Sequence, residues 1–105
     1  MTSSQSKPVR QLVVIGLGLI GGSLAMAARQ RGICNKVIGV ARSEEVCKTA
    51  VDMGVVDTAT TSLAQLAPSL GDGDVIFIAV PTLSVRDVLQ QVCVLVSPAV
   101  TITDG

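Results

Sequence analysis

A chain of 105 residues, 49% hydrophobic, 15% charged and without formal net charge, is sized for one small domain with a well-buried sheet. The balanced charge gives no basic patch and the one aromatic residue, Phe77, gives no stacking platform, which argues against a nucleic-acid partner. No apolar run reaches the length of a membrane span, and the polar stretch Met1 to Arg10 has no apolar signal core; it reads as a flexible arm of a cytoplasmic protein.

The first expected strand, Leu12 to Gly16, is an apolar run of the kind that is covered on both faces of a sheet. It breaks into Gly16-x-Gly18-x-x-Gly21 and then into a helix from about Leu19 to Arg31, which Gly32 stops. Strand, glycine turn, helix is the order in which a dinucleotide pyrophosphate is held. Gly16 allows the tight turn, Gly18 lets the backbone approach the phosphates, and Gly21 lets the helix pack on the strand. The helix start offers unpaired N–H groups and a partial positive charge to the anion.

A second strand spans Lys36 to Ala41. Ser43 then caps a helix carrying Val46, Ala50 and Met53, with Gly54 at its end. Val55 to Ala59 reads as a short third strand, and Ser62 to Leu70 as a weak helix interrupted by Pro68. Asp74 to Val80 is a strong fourth strand. Pro81 and Thr82 open a helix with Val85, Val88, Leu89 and Val92 on one face at helical spacing. Val100 to Thr103 is the fifth strand, before Asp104 and Gly105.

Alternating elements of this length predict an α/β fold of the Rossmann type: a doubly wound parallel sheet of order 3-2-1-4-5 in three layers, over residues 11–105. Ligands in such sheets bind beyond the carboxyl ends of the strands, between strands one and four. Gly16 to Gly21 and Val80 to Thr82 belong to that crevice. An uncovered last strand is an exposed edge, so a fragment of a longer enzyme is expected.

The residue that binds the adenosine ribose sits about twenty positions after the third glycine, usually as a carboxylate. Here that position is Ala41, which accepts no hydrogen bond from a ribose diol. Arg42 and Ser43 follow. An arginine pairs with a 2′-phosphate, a serine hydroxyl donates to it, and the missing carboxylate removes a repulsion. NADP is the expected cofactor, with NAD the alternative; Glu44 and Glu45 weigh against NADP by bringing negative charge close. Ser43 also serves as a helix cap in either case.

Other groups carry less. Asp52, Asp57, Asp72 and Asp74 fall on expected turns, with no metal-ligand spacing and no acid pair. Thr82 and Ser84 follow strand four, where contact with the nicotinamide half and helix capping are both open. Asp104 ends strand five near the crevice. Cys34, Cys47 and Cys93 fit neither a disulfide framework nor a metal site and read as reduced fillers. There is no histidine.

These residues carry a family resemblance. Gly-Leu-Gly-Leu-Ile-Gly-Gly-Ser-Leu-Ala, Gly16 to Ala25, is similar to the opening motif of prephenate and arogenate dehydrogenases. The resemblance continues through Met53-Gly-Val-Val-Asp57, Asp74-Val-Ile-Phe-Ile-Ala-Val-Pro81 and Val100-Thr-Ile-Thr-Asp104, covering nearly everything from about Val9. These enzymes oxidise prephenate or arogenate with NAD or NADP, and loss of carbon dioxide aromatises the ring to give tyrosine precursors. The resemblance implies that Gly16, Leu17, Gly18, Leu19, Ile20 and Gly21 bind the pyrophosphate. It places Arg42 and Ser43 at the adenosine ribose, and Val80, Pro81 and Thr82 beside the nicotinamide half. Many members carry Asp where this chain has Ala41, so the departure resembles the NADP-using ones.

In the family a serine and a lysine follow the fifth strand, then a catalytic histidine, then a helical domain that completes the substrate site and the homodimer. None of these is in the 105 residues, so no catalytic residue is assigned here. The chain is expected to bind cofactor without turning over prephenate, and a steady dehydrogenase rate from the purified chain would refute this. Two other readings stand beside this one. One is the cofactor domain of a reductase of the 3-hydroxyacid or pyrroline-carboxylate type; the other is a stand-alone nucleotide-sensing domain.

Overall fold

The computed structural model describes residues 9–17, 19–79, 82–96 and 100–104. Five strands form one parallel sheet: β1 (Val9–Ile15), β2 (Cys34–Val40), β3 (Thr58–Thr60), β4 (Asp74–Ile78) and β5 (Thr101–Asp104). Their order is β3-β2-β1-β4-β5, as the alternation of elements predicts. The helices are α1 (Leu19–Arg31), α2 (Glu44–Asp52), the single turn α3 (Leu63–Leu66) and α4 (Thr82–Leu95).

Alternate residues of each strand supply two cores. On one face Val13, Ile15, Ile38, Val40, Ile76 and Ile78 meet Ala67 and Leu70, Val92 of α4 and Val96 just after it. On the other face Leu12, Val14 and Val37 meet Ala25 and Ala28 of α1 and Ala50 of α2. The small residues of α1 let that helix lie close to the sheet. The result is three layers with the sheet in the middle. Among the described residues no helix is long and apolar enough to cross a membrane.

Several boundaries differ from the sequence reading, each for a tertiary reason. β1 begins at Val9, so Val9 and Arg10, expected in the flexible arm, are strand residues. The charge of Arg10 masks this, because its N–H donates to Gly73 O at 2.7 Å and its guanidinium to Asp74 Oδ2. β2 starts at Cys34, which pairs with Val9. The third strand is Thr58–Thr60, not Val55 to Ala59. Val56 is buried as the chain leaves α2, so its apolar character reflects core filling and not strand pairing. The expected helix from Ser62 to Leu70 is split: Ser62 caps α3, and a 3₁₀ turn, Ala67–Ser69, follows with Pro68 in its first turn. β5 starts one residue after Val100, which is buried beneath it. On α4, Val88 and Val92 face the core, but Leu89 is 39% exposed and leaves the expected apolar face.

Gly18, Val80, Pro81 and residues 1–8 of the expected arm lie outside the described residues.

Candidate functional site

The carboxyl ends of β1, β2 and β4 meet where the chain turns from β1 into α1. Gly16 N–H donates to Val40 O of β2 at 2.9 Å, and Ala79 N–H donates to Ile15 O of β1 at 2.8 Å. The turn is thus moored to both neighbouring strands before it leaves the sheet. Gly16 has φ 95°, a left-handed conformation that glycine adopts without steric cost.

Gly21 is fixed by space. A Cβ on it would overlap the carbonyl oxygen of Gly16 and stand 3.1 Å from the Ala79 Cβ. The first turn of α1 therefore lies directly on the β1 terminus and the residue after β4. No acidic residue occupies that first turn, whereas Arg29 and Arg31 occupy the last. The missing acid leaves the positive end of the helix dipole facing the crevice uncompensated, which suits an anion held by backbone N–H groups, while the two arginines complement the negative end of the helix away from it. Leu19 and Ile20 are in this turn of α1, and Thr82 is the first residue of α4.

The end of β2 forms the neighbouring part of the crevice rim. Ala41 N–H donates to Thr60 O at 3.1 Å, which holds the backbone beyond β2 against β3. Arg42 is exposed and has no ion pair or hydrogen bond among the described residues. Ser43 adopts φ −132° and its Oγ accepts from Val46 N–H at 3.2 Å, so it caps α2 as expected. Its hydroxyl hydrogen is left to donate. The chain leaving β2 on this rim thus carries a cation and a hydroxyl in succession, and α2 then carries Glu44 and Glu45, both exposed.

Two residues that the sequence reading did not single out shape this rim. Thr60 Oγ1 accepts from Ser62 N–H at 3.1 Å and orders the loop facing Ala41. Gly39, inside the apolar run Val37 to Val40, lies directly beneath the Leu17 side chain. A glycine interrupting a central strand is the one signal that pointed to it.

Of the acidic residues expected on turns, Asp52 is instead the last residue of α2, and Asp57 and Asp74 have structural partners. Asp57 Oδ2 accepts Val37 N–H at 2.8 Å and Asp57 pairs with Arg29 at 3.1 Å. Asp74 is the first residue of β4 and is buried at the amino end of the sheet, opposite the crevice. Asp104 ends β5 at the crevice end of the sheet. Among the described residues no group of His, Cys, Asp and Glu is arranged to hold a metal. Cys34 and Cys47 are buried and form no disulfide among the described residues.

The comparisons converge on one family. The family model described as "Prephenate dehydrogenase, nucleotide-binding domain" matches residues 24–105, beginning just after the glycine turn. A prephenate dehydrogenase of Lactococcus lactis subsp. cremoris is 31% identical over 84 residues, 80% of this chain and 22% of that protein. The crystal structure of prephenate dehydrogenase from A. aeolicus, in complex with hydroxyphenyl propionate and NAD+, superposes with a TM-score of 0.83 at 28% identity. It covers 94% of this chain and 34% of its own. Synechocystis arogenate dehydrogenase gives a TM-score of 0.78 at 35% identity over 90% of this chain and 32% of its own. The chain thus spans about a fifth to a third of these relatives' length. Other dehydrogenases and reductases, at 18 to 21% identity, share the fold alone.

Proposed function

The chain belongs to the prephenate dehydrogenase nucleotide-binding domain family, and from that premise we propose that it binds NADP in preference to NAD, as the cofactor half of a prephenate or arogenate dehydrogenase. The cradle fits a dinucleotide: the Gly21 Cβ position is filled by the turn's own backbone, and the α1 terminus faces the crevice without a competing carboxylate. In this reading Gly16, Leu17, Gly18, Leu19, Ile20 and Gly21 hold the pyrophosphate. Arg42 and Ser43 hold the 2′-phosphate, and Val80, Pro81 and Thr82 flank the nicotinamide half. The bound cofactor supplies the hydride acceptor for oxidation of the cyclohexadienyl substrate.

The observation that carries the NADP preference is Arg42 beside Ala41, without a partner among the described residues. Were a carboxylate present in place of Ala41, it would accept from the ribose diol and repel a phosphate. With alanine there, only the guanidinium and the Ser43 hydroxyl meet that end of the ligand. The exposed Glu44 and Glu45 oppose this through solvent, where charge effects are screened within roughly 10 Å. Buried cysteines outside any disulfide, Cys34 and Cys47, agree with a reducing, cytoplasmic setting. A homodimer of the whole protein is part of the same reading.

Calorimetric titration with NADP and then NAD at one low salt concentration tests it. NADP is expected to bind more tightly. Arg42→Ala is expected to weaken NADP by roughly tenfold to a hundredfold, the range of one charge-assisted hydrogen-bonded contact, and to leave NAD within about twofold. Equal or tighter NAD binding overturns the preference, and no binding of either overturns the dinucleotide reading.

A further inference from the structure

The turn between β1 and α1 carries one large side chain between its first two glycine positions, and that side chain needs a seat away from the ligand. Leu17 is half-buried and packs into the core formed with α1 and α2. Its seat lies over β2. A Cβ on Gly39 would stand 2.6, 3.1 and 3.2 Å from Cδ1, Cδ2 and Cγ of Leu17, and the first of these separations is one that real side chains do not adopt.

Backbone conformation does not require a glycine at 39, since its φ is not positive. Gly39 pairs with Val14 on one side and Ala59 on the other. Glycine in a strand interior otherwise weakens the strand, so its presence marks a close approach. Here Leu17 is the approaching group.

We propose that Gly39 is a positioning residue for the dinucleotide turn: by leaving room for Leu17 over β2, it keeps that side chain out of the space the phosphates need. This rests on the dinucleotide reading above. A methyl group at 39 does not meet fixed backbone. It meets the far end of a flexible side chain, and beside that side chain lies a groove of about 230 Å³ between α1 and α2, lined in part by Gly22, Val46, Thr49 and Met53. The fold therefore absorbs the substitution, and its cost falls on the turn and its ligand.

The test is a double-mutant cycle on the full chain. Gly39→Ala is expected to weaken NADP about tenfold, equivalent to about 1.4 kcal/mol, with the thermal midpoint nearly kept. In the free protein the amide resonances of Gly16, Leu17 and Gly21 are expected to shift. In a Leu17→Ala background the same Gly39→Ala change should alter affinity by less than about twofold and leave the turn amides in place, because the clashing atoms are gone. Equal losses in both backgrounds, or unmoved turn amides, overturn the proposal. If the unsubstituted chain binds no dinucleotide, the cofactor reading fails, and the amide shifts still decide the role of Gly39.

Discussion

Gly21→Ala is expected to weaken dinucleotide binding by at least about a hundredfold, close to 2.7 kcal/mol, and to lower the thermal midpoint by roughly 5–15 °C. The obstruction is backbone. The new Cβ would overlap the Gly16 carbonyl oxygen, and Ala79 stands 3.1 Å away on the other side. No rotamer change relieves this. Either the turn opens or α1 lifts from the sheet, and Ala25 and Ala28 lose their contact with Leu12 and Val14.

The neighbouring position supplies the control. Gly22 lies in the same turn of α1, and a Cβ there meets nothing within 4 Å. Gly22→Ala should therefore be neutral or stabilise by about 0.5–1 kcal/mol through helix propensity. Titration calorimetry and circular dichroism melts of the two variants separate the effects. If Gly21→Ala bound dinucleotide like the parent chain, the close contact of α1 with the turn would not be what builds the site.

Asp74→Ala is expected to destabilise the fold by about 2–3 kcal/mol and to lower the thermal midpoint by roughly 10–20 °C. The Asp74 carboxylate is fully buried while Arg10 remains half exposed. Oδ2 accepts from the Arg10 guanidinium at 2.6 Å, the Gln11 amide at 3.2 Å and Gly71 N–H at 2.8 Å. One side chain thus joins the amino ends of β1 and β4 to the turn before β4. Removing it leaves the Gly71 N–H without its acceptor and leaves the Gln11 amide only the Ser69 carbonyl at 3.3 Å, and this loss outweighs the exposed ion pair. Because this knot is at the sheet's opposite end, NADP affinity of the folded variant should stay within about twofold. An unchanged melting midpoint would show that the knot contributes nothing to stability.

The glycine turn was legible because its signals are local. An apolar strand, glycines at fixed spacing and a helix with no acid in its first turn are all readable within some twenty residues. Ser43 as a cap and Arg42 beside Ala41 were legible for the same reason. Asp74 was not: a Gly-Asp-Gly-Asp stretch looks like an exposed turn, and only its long-range partners Arg10 and Gln11 make it a buried anchor. The third strand lies later than its apolar signal because Val55 and Val56 are apolar for filling the core, while the residues that pair with β2 are Thr58, Ala59 and Thr60.

By itself the sequence determined the alternation of strands and helices, the parallel sheet order that follows from right-handed crossovers, and the turn at which α1 begins. Each depends on periodicity or on a backbone conformation that one residue type permits. The tertiary structure alone decided that Gly21 must lack a side chain because of the Gly16 carbonyl, that Gly39 lies under Leu17, and that Asp74 joins the amino ends of two strands. Those facts depend on which atoms share a volume after the chain has folded, and no local pattern encodes a distance between segments brought together by the sheet.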